Sequence, residues 1–432
     1  MNTKRHQKTP AAPSAADYLI ASKQCELRHL QHFLQLGKLI QSISNLVHGL
    51  QQERGASNMF LGSGGENFGT ERKAMVKEAE RLRVTFNQAL AEVHDSLTAH
   101  PVSTQLLNHV ASAVHGLEDL LALRRQVERQ TLTATEATEA YSRLIQNLIT
   151  VVFEAADTAV DPSIAGLLVA MVHLMNGKEF CGQERAVGSA GFSSGHFDAA
   201  RSRRMMHLVE AQERCFEVFV SFSDADSREL WYRVRAHSRE AEIEQLRRYG
   251  CSVGPYKTLD PELAKQWFQL MTERMDELKK VEDAVEGCFH ARCVDRFGEA
   301  RNSLAHQETL IASLDDHDQS AQPMLVLCDS GNEVPPGEAW GNDGVGQQFG
   351  RSIFDLVQEQ TRRLQQMTDE LQSAKEALED RKTQEKAVLL LMEHRKISND
   401  EAHRVLRKLA MDQGKKLPEV ARALVSMADV LK

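Results

Sequence analysis

The sequence predicts an all-α protein. Two up-down four-helix bundles come first, then a linker, a coiled-coil-like helix and a small three-helix C-terminal module. Three observations carry this. Apolar residues recur at helical spacing from Asp17 to about Leu314, with no alternating strand pattern. Asp161-Pro162 and Asp260-Pro261 supply strong helix starts, an N-cap followed by proline at the first helical position. Between Gly350 and Gly414 no glycine or proline interrupts the chain, and Val357, Leu364, Leu371 and Leu378 recur every seven residues.

Residues 1–16 are rich in Lys, Thr, Pro and Ala and are expected to be disordered. The first helix starts near Asp17 and stops at Gly62-Ser63-Gly64-Gly65, with Leu36, Leu39, Ile40, Ile43, Leu46, Val47 and Leu50 on its apolar face. Helical patterns follow over 66–98, 101–130 and 135–159, then from Asp161 to about Val187, 196–221, 225–249 and from Asp260 to about Leu314. Gln52-Glu53-Arg54-Gly55 ends the first helix and Gln183-Glu184-Arg185-Ala186 ends the fifth, each followed by glycines. This echo divides 17–314 into bundles of about 17–159 and 161–314, related by duplication.

From 315 to 350, Pro335-Pro336-Gly337 and Gly341-Asn342-Asp343-Gly344 mark a linker. The heptad stretch 351–378 reads as a seam that closes against a second helix, with Glu370 and Lys375 at flanking positions. Gln360 and Ala374 weaken the seam, so a conditional homodimer is expected rather than a permanent zipper. Residues 379–432 form the C-terminal module. Ser398 to Glu401 reads as a capping box, Ala402, Val405, Leu406, Leu409 and Ala410 as a core face, and Pro418 starts the last helix. The apolar block 387–392 is too wide for a two-helix seam and is assigned to the module's core.

Net charge is -9, which argues against a nucleic-acid binder as a whole. Residues 394–424 reverse the sign, with eight basic against four acidic side chains. That favours a local phosphate-binding face, with Arg404, Arg407, Lys408, Lys415 and Lys416 as candidates. A solvated charged face explains the charge equally well. No apolar run approaching a membrane span and no signal-like h-region are read, so a cytoplasmic protein without a membrane partner is expected. The seven cysteines include no CxxC pair. Cys288, His290 and Cys293 do not share a helix face, so no metal site is assigned. No catalytic constellation or nucleotide-binding loop is found, and neither enzymatic activity nor a cofactor is expected.

Ala377 to Lys382, Ala387, Leu391-Met392-Glu393, Asp400-Glu401-Ala402, Leu406 to Asp412 and Leu417 to Ala421 resemble the ANTAR domain, the RNA-binding module of bacterial antiterminators. One departure is that Val388 and Leu389 stand where that family has Lys and Gly, with Lys386 the residue available to compensate. Gln52 to Ser57 and Gly182 to Ala186 resemble the NIT domain, a nitrate- and nitrite-sensing helical module. Together the resemblances imply a nitrate- or nitrite-responsive antiterminator that binds leader mRNA hairpins of nitrate-assimilation genes. A guanidinium fork matches the plane of nitrate with two parallel hydrogen bonds. The resemblance therefore points to Arg54 and Arg185 as a clamp, with Glu53 and Glu184 orienting neighbours. Arg247 and Arg239 are candidates for a third arginine, while Arg124 and Arg125, at the mirror position, are left out. The competing reading makes these arginines surface ion pairs, and the bundles a docking site for a protein that controls the RNA-binding tail.

Overall fold

In the computed structural model the described residues are 14–99, 104–237, 239–252, 259–260, 262–315, 380–381, 383–392, 394–397 and 399–430. Most of the expected linker 315–350, the heptad helix 351–378, nearly all of the tail 1–16 and the capping serine Ser398 lie outside them. The described residues are helical and contain no strand. Helices α1 (Ala15–Gly62), α2 (Gly69–Ala99), α3 (Thr104–Glu128) and α4 (Ala134–Asp157) are followed by α5 (Pro162–Ser193) and α6 (Ala199–Phe222). Then come α7 (Ala225–His237), α8 (Glu240–Ser252), α9 (Leu263–Asp315), α10 over 380–395, α11 (Asn399–Gln413) and α12 (Leu417–Val430).

The helix starts follow local chemistry. Asp161 accepts hydrogen bonds from the Ser163 and Ile164 amides, with Pro162 at the first helical position. Thr133 and Glu136 form a reciprocal capping box at α4. Asp198 takes the Arg201 amide at α6.

Three expectations change. The fifth helix does not stop near Val187 but runs to Ser193. Its glycines admit neighbours: a Cβ on Gly188 would sit 2.2 Å from Trp267 Nε1. The pattern read as one helix over 225–249 is two, because the Arg239 carbonyl opens a new ladder to the Glu242 and Ile243 amides. The turn lacks glycine or proline to announce it. Finally, α5 is long and apolar enough to cross a membrane, yet 89% of its most apolar window is buried inside the protein. A helix apolar on all sides belongs at the centre of a helical core.

The chain divides into two compact units, one of 33–292 with 370–432 and one of 1–32 with 293–369. In the second, Leu19, Leu30, Cys293 and Ala300 are buried. In the first, α5 packs on α4, α6 and α8. It also meets α1 and α9 through buried polar contacts, including Lys178 Nζ to Glu282 Oε2 at 2.6 Å with both side chains inaccessible. Burial pushes the Lys178 pKa down, and the Glu282 carboxylate opposes that. Helices α10 to α12 build their own core from Ala387, Val388, Leu391, Leu406 and Val420. Of the block 387–392, Ala387, Val388, Leu391 and Met392 join this core, while Leu389 is exposed. Val388 is buried, while Lys386 is exposed.

Candidate functional site

The two echoed motifs face each other. Arg54, Gly55 and Asn58 from α1, and Gly182, Arg185, Ala186 and Ser189 from α5, line one cleft with Phe268 from α9. These positions fall on single helix faces because residues three and four apart stack along a helix. The cleft is tight, and no water-sized sphere fits among these side chains.

The glycines of the motifs make the approach possible, and they do so reciprocally. A Cβ on Gly55 would lie 2.3 Å from Arg185 Nη2, and a Cβ on Gly182 would lie 2.2 Å from Arg54 Nη2. Each arginine therefore enters the space that the opposite helix leaves where a side chain is missing.

The arginines differ in what holds them. Arg54, 1% exposed, donates through Nη1 to Glu179 Oε1 at 2.5 Å and Ser142 Oγ at 2.7 Å. Arg185, 2% exposed, donates to the Gln51 carbonyl at 2.7 Å and to Thr272 Oγ1 at 2.9 Å, and lies over the Phe268 ring at 4.9 Å. Among the described residues no carboxylate lies within ion-pair distance of Arg185. Burial first, and the Arg54 charge second, push its pKa down to about 9. Arg54 Nη2 and Ser189 Oγ are buried without a hydrogen-bond partner among the described residues. Two guanidiniums and one carboxylate leave the cleft with one net positive charge and spare donors, a composition that suits a small anion.

The glutamates of the motifs turn away from the cleft. Glu53 pairs bidentately with Arg124, both contacts at 2.8 Å, and accepts from Tyr141 Oη at 2.6 Å. Glu184 pairs bidentately with Arg247 at 2.6 and 2.8 Å and accepts from Gln212 Nε2 at 2.7 Å. The same glutamate–arginine pairing thus recurs beside both motifs. It also places Arg247 on Glu184 rather than in the cleft, and Arg124, passed over in the sequence, in the matching role. Arg239 is exposed and held by Glu242 at 2.6 Å, and it does not line the cleft. Glu179, Ser142, Thr272 and Phe268 were not foreseen. Glu179 lies six residues before Arg185, and nothing in that spacing announces its contact with a helix 125 positions away.

A second cluster joins the C-terminal module to α5 and α6. Arg381 reaches Asn176 Oδ1 at 3.4 Å and Cys215 Sγ at 3.9 Å, and lies 5.8 Å from the Phe180 ring centre. Arg407 binds Glu210 and His207, and the His207 and His403 rings lie 5.1 Å apart. Burial first, then neighbouring positive groups, push His207 down to about 3 and His403 to about 4. Of the residues proposed for RNA, Arg404, Lys408, Lys415 and Lys416 are exposed. Arg407 is the departure, since it is partly buried against α6 and paired there. Cys293 is buried, His290 is exposed and Cys288 faces Ser227.

Comparison with known proteins gives the chain's relatives. The family model described as nitrate and nitrite sensing matches residues 45–289, and the ANTAR domain model matches 372–425. A nitrate regulatory protein of Klebsiella oxytoca is 33% identical over 415 residues, covering 96% of each chain. The solved structure of the NasR transcription antiterminator is similar with a TM-score of 0.59 and 31% identity, over 97% of this chain and all of that one.

Proposed function

The chain belongs to the nitrate- and nitrite-sensing family and carries an ANTAR domain behind its sensor, and from this premise we propose a nitrate- or nitrite-responsive RNA-binding antiterminator. The sensor spans about 17–314 and the RNA module 379–432. Nitrate or nitrite binds between Arg54 and Arg185, and the exposed bases of α11 and its following turn meet phosphates of leader RNA hairpins. The observation that carries the anion site is the pair of buried guanidiniums, facing across Gly55 and Gly182 with a single carboxylate, Glu179, paired to Arg54.

The tightness of the cleft supplies the switch. An anion enters only if α1 and α5 separate, so it favours the more open arrangement by its differential affinity. Arg185 and the module-docking residues Asn176 and Phe180 share α5. Nine residues of helix place Asn176 about 14 Å from Arg185. A shift of α5 therefore reaches the seam where Arg407 is held by Glu210. Opening releases Arg407 and the module to RNA, and the seven-residue apolar repeat in the sequence of 351–378 suits a conditional homodimer.

Retention of leader RNA, with and without nitrate, tests the switch. Wild type is expected to bind RNA more tightly with nitrate, and Arg54→Ala to lose that response. Equal RNA affinity in both proteins under both conditions would refute the switch.

A further inference from the structure

Behind the two guanidiniums of the cleft stands a carboxylate, Glu179, paired to Arg54, and its charge opposes the anion that the arginines attract. Glu179 is 1% exposed and anchored by three donors: Arg54 Nη1 at 2.5 Å, Gln51 Nε2 at 3.0 Å and Gln183 Nε2 at 2.9 Å. Three hydrogen bonds from two helices, α1 and α5, hold it in place rather than leaving it as a mobile plug. Asp276 also acts on the Arg185 charge, but it is half exposed and tied to Gln52 and His48, so water screens it. Lys178 is neutralised by Glu282.

We propose that Glu179 is the specificity-determining residue of the anion site: it sets the cleft's net charge at plus one, so that a monovalent oxyanion leaves it neutral and a divalent one does not. The inference rests on the cleft reading above. A buried site tolerates a balanced set of charges and penalises an excess of either sign. Nitrate brings the sum to zero. Sulfate leaves one uncompensated negative charge beside Glu179. Without the Glu179 charge the cleft carries two positive charges, and both anions gain.

Titration calorimetry of the full chain with sodium nitrate and with sodium sulfate, at constant ionic strength, tests this. Wild type should bind nitrate and give no heat with sulfate. Glu179→Gln keeps two hydrogen-bonding termini and loses the charge. It should bind nitrate more tightly, on the order of ten- to a hundred-fold, the size expected for one unit charge about 6–12 Å away at an effective dielectric of about 20. It should also bind sulfate. Unchanged or weaker nitrate binding by Glu179→Gln, with no sulfate binding, overturns the proposal while Arg185→Ala still abolishes nitrate binding. Full nitrate affinity in Arg185→Ala overturns the cleft reading itself. Because Glu179→Gln also removes Arg54's counter-charge, which costs stability, Glu179→Asp is measured beside it. It retains the charge and should still refuse sulfate, and sulfate binding by Glu179→Asp also overturns the proposal.

Discussion

Substituting alanine for Gly55 tests whether the cleft depends on close approach of the two helices. A Cβ at this position would lie 2.3 Å from Arg185 Nη2 and 2.7 Å from its Cζ. The guanidinium must retreat by about 1 Å or more to reach ordinary contact distance. It is not free to do so, because it is held by the Gln51 carbonyl at 2.7 Å and by Thr272 at 2.9 Å. Hydrogen bonds to a charged group each contribute about 1.5–3 kcal/mol, and overpacking costs about 1–3 kcal/mol. The gain in helix propensity, about 1 kcal/mol, offsets part of this. A net loss of about 2 kcal/mol follows, together with a large loss of nitrate affinity. Gly287→Ala is the control. It lies within α9, and a Cβ there meets nothing within 4 Å, so only the propensity gain remains, about 0.5–1 kcal/mol. Urea unfolding midpoints and nitrate titration of both variants check the reasoning. If Gly55→Ala matched Gly287→Ala in stability and kept wild-type nitrate affinity, the close approach would not be the basis of the site.

Further outcomes separate the roles of the charged groups. Arg185→Met should abolish the nitrate-dependent rise in thermal midpoint without lowering the midpoint in nitrate-free buffer, since it removes a buried charge that has no carboxylate partner. Arg54→Met should lower that midpoint, because it leaves Glu179 buried and unpaired, at a cost of about 3–5 kcal/mol. Glu210→Ala should raise nitrate-independent RNA retention only modestly, by about fivefold or less, since Glu210 is half exposed and exposed ion pairs contribute about 0.2–1 kcal/mol. Acidification should also release the module. His207 and His403 are held at about 3 and 4 when docked, against an ordinary value of about 6.5 when free. The released state therefore binds more protons, so docking is complete above about pH 6.5 and weakens as pH falls below it. Nitrate-free RNA retention at about pH 5.5 should exceed that at about pH 7.5, and the reverse order would refute this linkage.

Helix identity was readable along most of the chain because the signals are local. Asp161 and Pro162 act on the turn that follows them, and the core of α11 follows from residues three and four apart. The echo of Gln-Glu-Arg with a small neighbour was equally visible, and together with the family resemblance it pointed to the two arginines that share the cleft. The break between α7 and α8 was not, because it involves a change of hydrogen-bonding partner at Arg239 and no special residue type.

Partner choice lay beyond reach of the same reasoning. Adjacent helical residues point about 100° apart, so Glu53 and Arg54 necessarily face different neighbours. Which neighbours depends on where helices distant in sequence cross. That crossing sends Glu53 to Arg124, Glu184 to Arg247 and Arg54 to Glu179, and it folds Arg407 against Glu210 rather than leaving it on the open basic face. A residue's charge is written in its side chain and its helix face in its spacing. The counter-charge it meets is a property of packing, and that packing gives Arg54 the Glu179 carboxylate and leaves Arg185 with a carbonyl and a hydroxyl.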